Sequence, residues 1–203
     1  MRVTDSVSCA TFPCADVDHA GFAVPPLDLD PGRVRIVLIS ETAPANPADG
    51  YYAPGDPLFA RTTVQAFRDA GAAVDSIADI LALGVYLTTA VKCAKTGYAV
   101  PAAAIKECSL LLEREIAMFP EVRAWLLMGD VAIQAVNAIA KRAREPRVIP
   151  AGSTYKIRGA DYRFRGARAF PSYLQAGPSF FIEKSKRRMI AEDIAEALKV
   201  AGR

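Results

Sequence analysis

Three groups of side chains in this 203-residue chain have the types and spacing to do chemistry. The first is a set of four thiols. Cys9 and Cys14 lie near the N-terminus, and Cys93 and Cys108 follow in the middle of the chain. Four thiolates can hold a tetrahedral zinc or an iron–sulfur cluster. The spacings C-x4-C and C-x14-C are not those of a standard zinc knuckle. Cys108 also falls on an apolar helical stripe, where a small core residue would serve as well. The second group is the stretch SETAPANPADGYY. Glu41 and Asp49 supply carboxylates, and Tyr51, Tyr52 and the nearby Phe59 offer ring faces for a flat ligand. The plain alternative is an acidic, proline-rich surface loop whose rings cover a sheet edge. The third group spans residues 170–188. A loop there leads to Lys184, Lys186, Arg187 and Arg188, cations at a helix start suited to phosphate. A basic face meeting only water is the alternative. His19 is the only histidine. Most Ser-His-Asp or Cys-His schemes are therefore excluded unless the N-terminal segment folds over the site.

The elements that must position these groups follow from periodicity and punctuation. Residues 1–32, rich in Asp and Pro, predict an irregular segment. Residues 33–40 (RVRIVLIS) predict a strand covered on both faces. Further strands are expected at 85–91 (VYLTTAV), 125–128 (WLLM) and 167–171 (ARAFP), with a hairpin within 147–165. A helix over 58–71 would end at Gly71. Another over 101–119 would start at Pro101 and bury Ile105, Cys108, Leu112, Ile116 and Phe119. A third, 131–143, would be capped by Asp130, and a fourth, 181–200, would close the chain. Strands alternating with helices predict an α/β fold: a three-layer α/β/α sandwich around a short, mainly parallel four-stranded sheet, as one domain over 1–203. Ligands of such sheets sit beyond the C-terminal strand ends. Those ends are Ser40 and Glu41, residues 88–92, residues 128–130, and Pro171 onward.

Charge is unevenly spread. Residues 1–140 hold 10 Lys+Arg and 16 Asp+Glu, a balance of −6, and residues 141–203 hold 15 and 6, a balance of +9. The sum is the net +3. A basic third suits a polyanion partner such as DNA, RNA or a phosphorylated ligand. Apolar residues at 52% exclude disorder as the main state. No apolar run reaches the roughly 18–20 residues that span a bilayer, and the N-terminus lacks a signal core. The expectation is a cytoplasmic, monomeric protein with no membrane partner.

The order of motifs resembles the uracil-DNA glycosylase superfamily, most closely its iron–sulfur branch, often called family 4. IVLISETAP resembles a strand ending in that family's GEAPG motif, with Glu41 on its glutamate. GDPLFA stands where the family has a GRPFVG-like segment. YLTTAVKC resembles its YITNVVKC strand, and ECSLLLEREI its cysteine-bearing helix. WLLMGDVA and FPSYLQA, followed by KRRMIAEDI, complete the series. The resemblance implies a 4Fe-4S cluster on Cys9, Cys14, Cys93 and Cys108, with zinc the lesser alternative. It implies hydrolysis of the N-glycosidic bond of a flipped, deaminated base in DNA, with Glu41 or Asp49 as the carboxylate. Tyr51, Tyr52 or Phe59 would stack on the base. The family's pocket asparagine falls on Thr89 and its histidine on Leu174, with Gln175 next in line to supply a donor. These departures leave open a second expectation: a glycosylase fold that binds nucleic acid or a nucleotide without cleaving it.

Overall fold

Ile36, Val37, Leu38 and Ile39 are all fully buried, which requires a strand covered on both faces. The computed structural model describes residues 1–202. Its strands are β1 (Val17–Asp18), β2 (Ile36–Ala43), β3 (Val85–Lys95), β4 (Ala124–Met128), β5 (Tyr162–Phe164) and β6 (Ala167–Ser172). They form one sheet in the order β1-β3-β2-β4-β6-β5. The pairs β3·β2, β2·β4 and β4·β6 are parallel, and β1 and β5 pair antiparallel at the edges. The helices are α1 (Leu58–Asp69), α2 (Ile77–Ala82), α3 (Ala102–Ile116), α4 (Asp130–Arg142), α5 (Thr154–Ile157), α6 (Ser179–Ile182) and α7 (Lys184–Ala201).

Alternation along the strands divides the core. Ile36, Leu38, Leu87 and Leu126 pack with Val64 and Phe67 of α1 and with Ile190 and Ile194 of α7. Val37, Ile39, Tyr86 and Leu127 pack with Ile105 and Leu112 of α3 and with Val136 and Ile139 of α4. Helices on both faces of a parallel centre make the expected three-layer sandwich. The sheet has six strands where four were expected, because the added edges are two and three residues long and carry no periodic signal.

Local chemistry corrects several boundaries. Gly129, not Asp130, is the N-cap of α4, and Asp130 is its first helical residue. The hairpin joins β5 to β6 through Arg165 and Gly166, both at positive φ, as a tight two-residue turn demands. The preceding residues instead form the short α5. The closing helix is interrupted at Glu183, where ψ is 77°. The sequence reading passed over α2. Its start carries a capping box: Ser76 Oγ accepts from Asp79 N, and the Asp79 carboxylate accepts from Ser76 N. Among the described residues no helix is long and apolar enough to cross a membrane.

Candidate active site

Glu41 lies near the C-terminal end of β2, one residue before a register shift in the β2·β3 pairing at Thr42 and Ala43. The strand aims it at the start of α4. There the backbone N–H groups of Val131 and Asp130 face the carboxylate and favour its charged form. A helix N-terminus is a natural seat for negative charge. Burial nevertheless raises the Glu41 pKa above its ordinary value of 4.5, against the pull of those N–H groups and of Lys95. Gly129 makes this seat fit. Its φ is +95°, and a Cβ there would stand 2.5 Å from Glu41 Oε1.

Two cavities meet at Glu41. One, about 580 Å³, is also lined by Asp49, Phe59, Lys95 and Leu174. Asp49 reaches it from a single 3-10 turn, Pro47–Asp49, whose N-cap Asn46 accepts from Ala48 N. The other, about 400 Å³, is lined by Tyr98, Leu174, Lys186 and Arg187. Leu174 faces both and can donate no hydrogen bond.

A third cavity, also about 580 Å³, shares Phe59 with the first and adds Tyr51, Tyr52 and Thr89. The rings are fixed by their hydroxyls. Tyr52 donates to the Leu87 carbonyl at 2.8 Å. Tyr51 donates to Ser40 Oγ at 2.7 Å, and Ser40 donates to the Thr88 carbonyl. Burial pushes Tyr51 up to about 12, so it stays a neutral donor. Gln175 is fully buried as a brace behind Tyr51, donating to its oxygen at 2.8 Å, with its own Oε1 unpartnered. The Tyr51 and Phe59 centroids are 5.5 Å apart and tilted. The arrangement is an aromatic slot with Thr89 among the hydroxyl residues on its wall.

The thiols gather below the end of β3. Pairing of Val17 with Lys95 and of Asp18 with Ala94 pins the N-terminal segment beside Cys93. His19 braces this segment, with Nε2 2.7 Å from the Cys14 carbonyl, and Phe12 turns the intervening loop at positive φ. Cys108 Sγ accepts from Lys92 N at 3.2 Å. All four cysteines are free. Burial pushes Cys93 up to about 12, and Cys108, Cys9 and Cys14 add to the rise. Burial raises Cys108 as well, with Cys14 and Cys9 again contributing. Four thiols that repel one another's thiolate forms are a donor set suited to a cationic centre. Among the described residues, however, no three His, Cys, Asp or Glu side chains are drawn together closely enough to hold a metal ion.

The cations at the start of α7 do not act alike. Arg187 binds Asp69 of α1 and covers the Phe180 ring, so it ties helices together. Lys186 pairs with Glu183 and lies 5.4 Å from the Tyr173 ring. Arg188 meets Glu192 in the open, and Lys184 is exposed. Ser172, at the end of β6, donates to Asp193 at 2.6 Å, and Arg158 holds the other oxygen of that carboxylate. That bond joins the FPSY and EDI segments. Sequence reasoning passed over Gly129, although a glycine between a strand and an Asp-led helix was the available signal. It also passed over Tyr98.

The family profile described as "Uracil DNA glycosylase superfamily" matches residues 28–195. A type-5 uracil-DNA glycosylase of Thermus thermophilus is 27% identical over 124 residues, 61% of this chain and 54% of that protein. The chain thus spans about half the length of the curated relative it matches.

Proposed function

The chain belongs to the uracil DNA glycosylase superfamily, and from that membership and the site geometry we propose that it hydrolyses the N-glycosidic bond of a base extruded from DNA. Uracil or another deaminated base is the substrate. The observation that carries this reading is Glu41, a carboxylate held at a helix start in a cavity that shares Phe59 with the neighbouring aromatic slot. An extruded base needs a narrow slot with ring faces, and Tyr52 and Phe59 supply them. Bond breaking builds positive charge on the sugar and negative charge on the departing base. Glu41 faces the sugar, with Asp49 on the same wall, and Thr89 offers its hydroxyl to the base. Gln175 acts through Tyr51. Lys184, Lys186 and Arg188 meet DNA phosphates, and Arg187 holds the face they stand on.

Leu174 and Thr89 favour a second reading, binding without cleavage. Losing one preorganised donor costs on the order of 10²–10³ in rate. Excision assays with uracil, hypoxanthine and xanthine, in single- and double-stranded DNA, separate the two. Release of any of these bases supports the enzyme. Salt-sensitive binding with no release supports the binder.

The four thiols belong to this proposal as ligands of a 4Fe-4S cluster. Bound to these four thiolates, a cluster would crosslink the N-terminal segment to β3 and α3. Cys93→Ser is expected to remove visible absorbance and iron from anaerobically purified protein and to lower its unfolding midpoint. Iron content unchanged in the variant would reject the ligand set.

A further inference from the structure

Seven large apolar side chains are exposed among the described residues; one of them lines a single opening and three more stand next in sequence to residues that line it. Tyr98 lines the 400 Å³ cavity that ends at Glu41. Tyr155 follows Thr154, and Phe181 and Ile182 lie between Phe180 and Glu183; all three of these neighbours line the same cavity. Single exposed apolar residues are ordinary, but a group on one rim marks a contact surface. Tyr98 is the extreme case at 99% exposure, so no packing within the chain accounts for it. Its loop, residues 96–100, is nonetheless held. Lys95 Nζ donates to the Tyr98 carbonyl at 3.2 Å, and Thr96 Oγ1 donates to the Asp16 carbonyl. The ring is presented from an anchored backbone.

Lysines interleave with these rings. Lys95 stands before Tyr98, Lys156 beside Tyr155, and Lys184 and Lys186 just after Ile182. Rings alternating with cations fit a strand that offers both phosphates and base faces, whereas an apolar protein partner would leave the exposed Lys156 and Lys184 unmatched. We propose that this rim is a docking surface for an unpaired DNA strand, and that Tyr98 stacks on the base next to the extruded one. The proposal rests on the glycosylase reading and adds to it a stacking residue on the β3–α3 loop.

The test uses the full chain and a single-stranded oligonucleotide carrying a tetrahydrofuran abasic analogue flanked by 2-aminopurine. This probe cannot be cleaved and does not depend on base preference. Wild-type binding is expected to quench the 2-aminopurine. Tyr98→Ala is expected to abolish the quenching and weaken binding about tenfold, with the unfolding midpoint unchanged. Tyr98→Phe is expected to keep both. If wild-type protein binds and Tyr98→Ala quenches and binds equally well, the stacking role is overturned while the glycosylase reading stands. Loss of quenching in Tyr98→Phe also overturns stacking by the ring. If wild-type protein binds no DNA, both readings fall.

Discussion

Glu115→Ala is expected to destabilise the protein by about 3–5 kcal/mol, the cost of leaving a buried charge without its partner. Lys92 and Glu115 form an ion pair in which both side chains are 0% exposed. The carboxylate also accepts from Tyr86 at 2.6 Å and Thr88 at 2.7 Å. Lys92 Nζ donates further to Thr88 Oγ1 and to the Thr89 carbonyl. Every polar atom of the group is satisfied, which is the condition for a buried pair to be tolerated. Truncation of Glu115 strands the ammonium in an apolar layer between β3 and α3. Urea unfolding of the purified protein measures the loss. The double variant Lys92→Met with Glu115→Leu should recover most of it, because apolar replacements remove the need for charge pairing. A Glu115→Ala loss below about 1 kcal/mol would show that the pair is not desolvated as described.

Glu41→Gln is expected to lower base excision by at least 10²–10³-fold while leaving stability unchanged or raised. The two halves of this prediction have separate causes. Glutamine keeps the shape and one acceptor oxygen for the N–H groups at the start of α4, so the seat is largely preserved. It removes the charge that would stabilise a cationic sugar. Burial raises the Glu41 pKa in the folded state above its ordinary value. A raised acid contributes stability below its unfolded pKa and loses that contribution as pH rises through the folded value. At neutral pH the ionised group therefore weakens the fold, and neutralising it does not. The excision rate should fall on the acid side with an apparent pKa above the ordinary 4.5, and that limb should vanish in the variant. Excision that survives Glu41→Gln intact would move the catalytic carboxylate elsewhere, with Asp49 on the same cavity wall the next residue to test.

Much of this protein was legible in its sequence for one physical reason: long-period burial leaves a pattern. The continuous apolar run 36–39 and the stripe from Ile105 to Ile116 report covered strands and a half-buried helix, and they led to the α/β sandwich with its parallel centre. The position of Glu41 near the end of β2 followed from the same pattern, since a parallel sheet opens its ligand cleft there. Thr89 was expected at a strand end too, but β3 runs on to Lys95 and holds it mid-strand, paired with Ser40. Short elements gave no such pattern. β1, β5 and α2 are stabilised by pairing, a tight turn and a cap, each set by one or two residues. Tertiary structure alone decided what each polar group meets. Glu41 sits on the α4 N-terminus because Gly129 clears the space, and Gln175 turned inward to brace Tyr51. Arg187 ties α7 to α1, and Lys92 is buried against Glu115. Hydrophobic burial is additive along the chain and so can be read locally. Hydrogen bonds and ion pairs depend on partners that are distant in sequence, and only the folded chain brings them together.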